Sequence, residues 1–314
     1  MKKISAINTL FQSFDGSSIT TYYWKVDQPK FCIHIIHGMS EYAGRYDDFA
    51  KWLNSKEISV FSSDLRGHGL TAGEIKNVGF FDVKDGWNKV VKDLFLIHKK
   101  FTAEISSVPN IILGHSLGSL LARSLSIDYK ELTDAFIFSA SSDHPGIKGI
   151  IGKPIAKLSS LLFGKRKSSK FLDFLTYADF NKRIKNIKTK KDWLSREESV
   201  VKDYINDPYC MQIFSNQFFT DLAYGILNVN KSKRIALMDP NTPILLLSGK
   251  MDPVGNYGKG IVNIAKKFKR VSLLSELGPI VQIILGLTIF INKFFQLINL
   301  YPSQEERDIN LQKD

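Results

Sequence analysis

Histidine and cysteine are scarce in this sequence of 314 residues. Its six histidines all precede position 145, and the last of them is His144. The two cysteines, Cys32 and Cys210, lack the spacing of a disulfide framework. This excludes a fold built on disulfides, and we expect two reduced, buried thiols. The basic start at Lys2 and Lys3 is not followed by an apolar segment of signal-peptide type, so we expect no secretory signal and a cytoplasmic location.

Acidic residues are in deficit. Against 43 Lys and Arg there are 31 Asp and Glu, which gives a net charge of +12. Such a charge suits a partner of opposite sign. No nucleic-acid-binding motif accompanies it, so we expect no nucleic-acid partner and favour peripheral contact with an anionic membrane; a solvated lysine-rich face is the alternative. Much of the excess falls in one stretch, at Lys165, Arg166, Lys167, Lys170, Lys182, Arg183, Lys185, Lys188, Lys190 and Lys191.

The apolar residues are sufficient for one large domain, since they make up 44% of the chain. Short apolar runs of the kind found in buried parallel strands alternate with segments of helical spacing, which predicts right-handed crossovers and a doubly wound, mostly parallel α/β sheet. An Asp15-Gly16 turn predicts a hairpin of two antiparallel edge strands, one on each side of the turn, which precede the parallel strands in the chain. The predicted parallel strands are 31–37, 59–64, 110–115, 135–140 and 243–249, and the predicted helices are 46–55, 87–103 and 117–127.

A Gly-x-Ser-x-Gly pentapeptide, Gly114 to Gly118, joins a predicted buried strand to a predicted helix. In this context the two glycines allow a sharp strand-to-helix reversal that leaves the serine hydroxyl exposed above the sheet. The pattern therefore predicts that Ser116 is a nucleophile. The alternative is a tight turn with an incidental serine.

Four segments together resemble the monoacylglycerol lipase and lysophospholipase branch of the α/β-hydrolases. They are 37–46, 64–69, 114–118 and 243–254, and the resemblance runs from about residue 10 to about residue 270. It implies an α/β-hydrolase fold whose core is formed by residues 1–145 and 231–314. A helical cap, residues 146–230, would be inserted after the sixth strand, and 191–197 and 207–210 resemble the cap of bacterial members.

The resemblance implies roles for individual residues. Ser116 would attack an ester carbonyl, and the backbone N–H groups of Met39 and Leu117 would form the oxyanion hole. Asp252 would be the acid of the triad, because it follows a predicted strand at its carboxyl end; the alternative is a turn aspartate. Asp64 is the rival acid and ranks below it. No metal and no organic cofactor is implied.

The base of the triad is unknown. In this fold the chain order is Ser, then Asp or Glu, then His, yet no histidine follows His144. His144 is a weak candidate, because it would lie on the correct edge of the sheet. The others fit other roles: His37 and His68 match positions that brace loops, His115 would point away from Ser116, and His34 and His98 look like core or helix residues.

The family pattern ends after Phe268. Residues 277–292 are uncharged and almost wholly apolar, Lys293 follows, and 294–300 are apolar again. The atypical segment, from about residue 271, has three interpretations: an altered reading frame, a membrane-anchoring tail or a diverged last strand and helix. The first accounts best for the abrupt loss of pattern.

These observations predict a serine hydrolase of monoacylglycerols, lysophospholipids or similar small lipid esters, impaired because the triad histidine is missing. A catalytically silent lipid-binding or membrane-associated scaffold on the same fold is the rival hypothesis. A peptidase-like or haloalkane-type hydrolase fits less well, because the nucleophile is serine and the cap resembles that of lipases.

Overall fold

The computed structural model describes residues 4–105, 108–272 and 281–285. Within these residues one sheet of eight strands has the order β1-β2-β4-β3-β5-β6-β7-β8. The pairs β1–β2 and β2–β4 are antiparallel, and all later pairs are parallel. The strands are β1 Ile7–Gln12, β2 Ser18–Trp24, β3 Phe31–Ile36, β4 Ile58–Ser63, β5 Asn110–His115, β6 Ala135–Ser139, β7 Ile244–Ser248 and β8 Val281–Leu285. The predicted α/β-hydrolase sheet is thus confirmed.

The predicted hairpin forms at Asp15-Gly16, where Gly16 adopts a φ of 81° that favours glycine. Of the two hairpin strands, however, only β1 lies at an edge of the described sheet. The prediction that both hairpin strands lie at the edge is wrong for β2, because β2 also pairs with β4. Its apolar side chains explain this position: Tyr22 and Trp24 are buried, which an outermost strand would not achieve.

Helices cover both faces of the sheet because side chains alternate between faces along each strand. On one face α1 packs against residues such as Ile33, Ile35 and Leu113. On the other face α2, α3 and α9 share a core with Ile36 and Ile112. The helices are α1 Asp47–Asn54, α2 Gly86–Glu104, α3 Leu117–Asp128 and α9 Lys259–Ser272. Both cysteines are free and buried, as expected.

The segment between β6 and β7 is mainly helical, with α4 Gly146–Phe163, α5 Lys170–Tyr177, α6 Glu198–Asn206, α7 Asn216–Val229 and α8 Ser232–Ile235. We refer to residues 146–230 as the inserted segment. Because this segment is rich in Phe and Leu, we expect most of its apolar residues to pack into a core of its own. For α4 and α5 this is wrong: Leu172 is buried, whereas Leu158, Leu161, Leu162, Phe163, Phe171, Phe174 and Leu175 are exposed. The two helices therefore present an apolar surface.

Part of the atypical apolar segment joins the sheet. Val281–Leu285 form β8, which runs parallel to β7 with Ile244 opposite Val281 and Ser248 opposite Leu285. This is what the interpretation as a diverged last strand predicts for these residues. The rest of 277–292, and 293–314, lie outside the described residues. Among the helices that are described, none is both long and apolar enough to cross a membrane.

Candidate active site

Ser116 lies at the carboxyl end of β5, in the turn that leads into α3. Its backbone has φ 51° and ψ −115°, a strained conformation for a residue with a side chain. Two close approaches make the turn possible. A Cβ at Gly118 would lie 2.0 Å from the Ile36 carbonyl oxygen, and one at Gly114 would lie 2.3 Å from the Gly118 oxygen. The pentapeptide therefore needs glycine at both positions, and Ser116 is only half-buried.

The loop after β3 packs against the same serine. A Cβ at Gly38 would lie 3.3 Å from the Ser116 Cβ, which shows that the loop contacts the turn at this residue. Met39 is the next residue of the loop. The loop is fixed on two sides. The Gly38 N–H donates to Glu41 Oε1 at 2.5 Å, and the His37 ring, whose Nε2 accepts from the Leu65 N–H, donates from Nδ1 to the Gly38 oxygen at 2.8 Å.

Met39 and Leu117 are the two residues that the sequence predicts for the oxyanion hole. Leu117 is the first residue of α3, and its side chain is buried. Met39 is partly buried and packs against the main core. Two backbone N–H groups at the start of a helix and in a fixed loop are the arrangement that stabilises an oxyanion during acyl transfer.

Asp252 follows β7, in a turn at the same carboxyl edge. Its Oδ1 accepts from the Val254 N–H at 2.9 Å, and the Ser248 hydroxyl lies 3.4 Å from its Oδ2. Burial raises the pKa of this carboxyl, and the Val254 N–H and the nearby His115 oppose the rise. The Asp252 carboxylate is thus held in a partly apolar site. Its contacts within the turn are also those expected if it is only a turn aspartate.

Asp64, the rival acid, is completely buried and fully engaged by neighbouring loops. It accepts from the Ala43 N–H at 2.9 Å, the Leu70 N–H at 2.7 Å and the Tyr22 hydroxyl at 2.9 Å. Burial raises its pKa to about 6, against the effect of these donors. Both oxygens of Asp64 thus accept from groups other than an imidazole, and these bonds brace the neighbouring loops, which fits its lower rank.

Most of the histidines that precede the elbow are buried, and burial favours the neutral form of their imidazoles. Burial lowers the pKa of His37 well below its usual value and that of His68 to about 4. His34 stacks on His98, whose Nε2 contacts Asn110. The imidazoles braced in this way are structural.

Two histidines remain. His144 is exposed, and its Nδ1 accepts from the Gly146 N–H at 3.1 Å. The His115 Nδ1 atom lies 3.2 Å from the Ser139 hydroxyl. His115 is also near enough to Asp252 to oppose the rise in the pKa of that carboxyl. In the described part of the chain no imidazole nitrogen is hydrogen-bonded to Asp252 or Ser116.

Several contacts near the site were not anticipated from sequence. Glu41 lies inside the motif 37–46, but its role in fixing Gly38 could be read only from the fold. The side chains of Tyr177 and Tyr204, from the inserted segment, lie close to that of Ser40, the residue after Met39. The sequence did not predict these two contacts, because each of them joins residues that are far apart in the chain. Among the described residues, no cluster of three His, Cys, Asp or Glu side chains is placed to hold a metal ion.

Solved structures share this fold. A thermostable carboxyl esterase from Bacillus coagulans superimposes with a TM-score of 0.81 at 20% identity and covers 94% of this chain and 95% of its own. A monoglyceride lipase from Saccharomyces cerevisiae gives a TM-score of 0.66 at 17% identity, with 95% and 94% covered. At these identities the likeness shows the fold.

Sequence comparison adds the family. Monoglyceride lipase of Rattus norvegicus is 28% identical over 244 residues, which are 76% of this chain and 71% of that protein. The phospholipase YtpA of Bacillus subtilis is 30% identical over 212 residues, 65% of this chain and 70% of that protein. A family model described as serine aminopeptidase, S33 matches residues 27–273. With the strand-turn-helix elbow and the sheet in place, the chain therefore belongs to the serine aminopeptidase S33 family of α/β-hydrolases.

Proposed function

We propose that this protein is a serine hydrolase of small lipid-like carboxylic esters, of the monoacylglycerol or lysophospholipid type, with strongly impaired turnover. The observation that carries the proposal is the packing of the Gly38 loop against Ser116 on a glycine-dependent elbow. This arrangement presents a hydroxyl beside two candidate oxyanion donors, Met39 and Leu117. Relatives named monoglyceride lipase and phospholipase support the substrate class.

The first half of the reaction, acylation of the serine, requires two proton transfers, and deacylation requires two of the same kind. Ser116 Oγ attacks the ester carbonyl and loses its proton, and the alcohol of the ester leaves with a proton. Water then attacks the acyl-enzyme, which releases the fatty acid and restores the serine. Asp252 would orient and stabilise the base that carries these protons. The sequence offers no histidine after His144, so these transfers are slow.

The experiment is hydrolysis of a short-chain nitrophenyl ester by the whole chain and by Ser116→Ala. We expect a weak rate that falls to background in Ser116→Ala and is unchanged in Ser232→Ala, a matched substitution at an exposed serine of α8. A rate that does not depend on Ser116 would contradict the proposal. Binding of a long-chain monoacylglycerol without any such turnover would instead favour the silent lipid-binding scaffold.

We further propose that the protein works in the cytoplasm at the surface of an anionic membrane. The support is the apolar surface of α4 and α5, where Leu161 is 69% and Phe174 is 65% exposed. The connection between the two helices is basic, with Lys165, Arg166 and Lys167. Apolar side chains beside cations are typical of helices that lie in a membrane interface.

Sedimentation with vesicles tests this contact. Phosphatidylserine-containing vesicles should bind the protein more strongly than phosphatidylcholine vesicles, and added salt should weaken the difference, because it screens exposed charges beyond about 8 to 10 Å. The double variant Leu161→Ser, Leu162→Ser should lose binding to both. Binding that depends neither on the salt concentration nor on the charge of the lipid would contradict contact with an anionic membrane.

A further inference from the structure

Arg123 is a completely buried cation that the proposed chemistry does not use. It lies on α3, the helix that begins directly after Ser116, and its exposed fraction is 0%. Burial lowers the pKa of its guanidinium to about 10, so the group remains protonated at neutral pH. A buried charge is costly unless its donors are satisfied. The two Nη groups of Arg123 have hydrogen-bond acceptors, whereas its Nε–H has none among the described residues.

The guanidinium binds both ends of the inserted segment. Nη1 donates to the Ser142 carbonyl oxygen at 3.0 Å, just before α4 begins. Nη2 donates to the Val229 carbonyl oxygen at 3.0 Å and to Asn230 Oδ1 at 2.9 Å, where α7 ends. One planar side chain thus joins the chain leaving the core to the chain returning to it. The last carbonyl groups of a helix also carry partial negative charge, which favours a cation at this end of α7.

The same region contacts the last described helix of the core. The Arg123 guanidinium lies 5.7 Å from the centre of the Phe268 ring on α9, and Lys267 of α9 pairs with Asp143 beside Ser142. Asp143 acts on Arg123 only through its charge. The hydrogen bonds of Arg123 go to carbonyl, amide and hydroxyl oxygens, and these need several donors in one fixed plane, which arginine supplies and lysine does not.

We propose that Arg123 is a positioning residue that clamps the two ends of the inserted segment to the helix of the nucleophile. Through this clamp the location of the inserted segment relative to Ser116 is tied to α3, independently of the packing within the sheet. The inference concerns the placement of the segment and does not require that the chain hydrolyse esters.

Hydrogen exchange of the full chain tests the clamp. In Arg123→Met, amides at 141–146 and 226–232 should exchange about tenfold or more faster, because the lost bonds are to a charged donor, while amides of β3 and β5 keep their protection. Arg123→Lys should give a smaller increase, since an ammonium group cannot reach both ends with the same geometry. Arg196→Met, which removes an exposed arginine of the inserted segment, serves as the matched control and should change neither region.

Asn230→Ala gives a directional version of the test and remains useful if Arg123→Met does not fold. It removes one acceptor at the returning end, so faster exchange should appear at 226–232 and not at 141–146. Faster exchange spread equally over the sheet in Arg123→Lys and Asn230→Ala would overturn the proposal, because Arg123 would then be a general stabiliser of the core. Unchanged exchange at both ends would overturn it as well.

Discussion

The loops after β3 and β5 form one side of the candidate active site, and the loop after β7 forms the other. On the first side every feature is fixed by close backbone packing: Gly38 against Ser116, and Gly118 against the carbonyl of Ile36. On the second side Asp252 is held only by its own turn, without an imidazole among the described residues. The difference teaches that the nucleophile elbow is fixed by its own glycines and by the neighbouring loop after β3, whereas the base must come from another segment of the chain.

Restoring the second side should produce the largest effect. Replacing the chain after residue 270 with a family-like strand, histidine loop and last helix should raise ester hydrolysis by several orders of magnitude. Loss of the base in a serine protease costs about 10⁶-fold in turnover, which sets the upper limit of the gain. The measurement is the hydrolysis rate of a short-chain ester before and after the replacement.

Two controls keep this result interpretable. The same replacement in a Ser116→Ala background should remain at the background rate, and so should a replacement whose histidine is changed to alanine. If the original chain already turns over at ordinary rates and loses them in His144→Ala, then His144 is the base and the second side is complete without a repair.

Breaking the first side should cost stability. In Gly118→Ala the new methyl group would meet the Ile36 oxygen at 2.0 Å and the His37 oxygen at 2.6 Å, and both are backbone atoms that cannot rotate away. We expect a loss of about 3 kcal/mol in the free energy of unfolding, at the upper end of what overpacking costs. Urea denaturation measures it.

The inserted segment supplies the matched control. Gly152 lies in α4, and a Cβ there would meet nothing within 4 Å. Gly152→Ala should therefore be neutral or should stabilise by up to about 1 kcal/mol, through helix propensity alone. Equal losses in both variants would show that the elbow is no more tightly packed than α4, which contradicts the comparison.

The features that the sequence predicted well are those with local physical causes. The buried strands follow from short apolar runs, and the elbow follows from two glycines around a serine between a strand and a helix. The boundaries of β5, at Asn110–His115, were predicted without error. The ranking of Asp252 above Asp64 came from the family resemblance and not from local pattern, and it stays a prediction.

What could not be predicted depends on contacts between distant residues. Arg123 reaches Val229 and Asn230, and Tyr204 reaches Ser40, across most of the inserted segment. The exposure of the apolar side chains of α4 and α5 also escaped prediction, because helical periodicity gives the apolar face of a helix and not whether a partner covers it. The strand β8 was only one of three interpretations, since a short apolar run is compatible with several structures.

A smaller and pH-dependent effect should come from Asp221, where α7 of the inserted segment meets the start of α2. Its Oδ1 accepts from Gln217 at 3.2 Å, whereas its Oδ2 is buried without a hydrogen-bond partner among the described residues. The pKa of Asp221 is raised to about 7, chiefly by burial. The charges of Asp85 and Asp82 contribute to this rise, and Gln217 and Lys165 oppose it. The folded protein therefore binds this proton more tightly than the unfolded chain does.

The sign of the effect follows from that proton. Between about pH 4 and pH 7 the folded state holds more protons at Asp221, so this group's contribution to stability falls as the pH rises, and the full penalty applies above about pH 7. Asp221→Asn removes the penalty and should gain up to about 2.7 kcal/mol more, relative to the original chain, at pH 8 than at pH 5, because about two units of the pKa shift lie between these pH values. Urea denaturation at the two pH values measures the difference. Asp203→Asn, at an exposed carboxyl of α6, should show almost none. If Asp221→Asn gains nothing at pH 8, the contact between the inserted segment and α2 does not titrate, and the segment is held to the core as independently of pH as the elbow is.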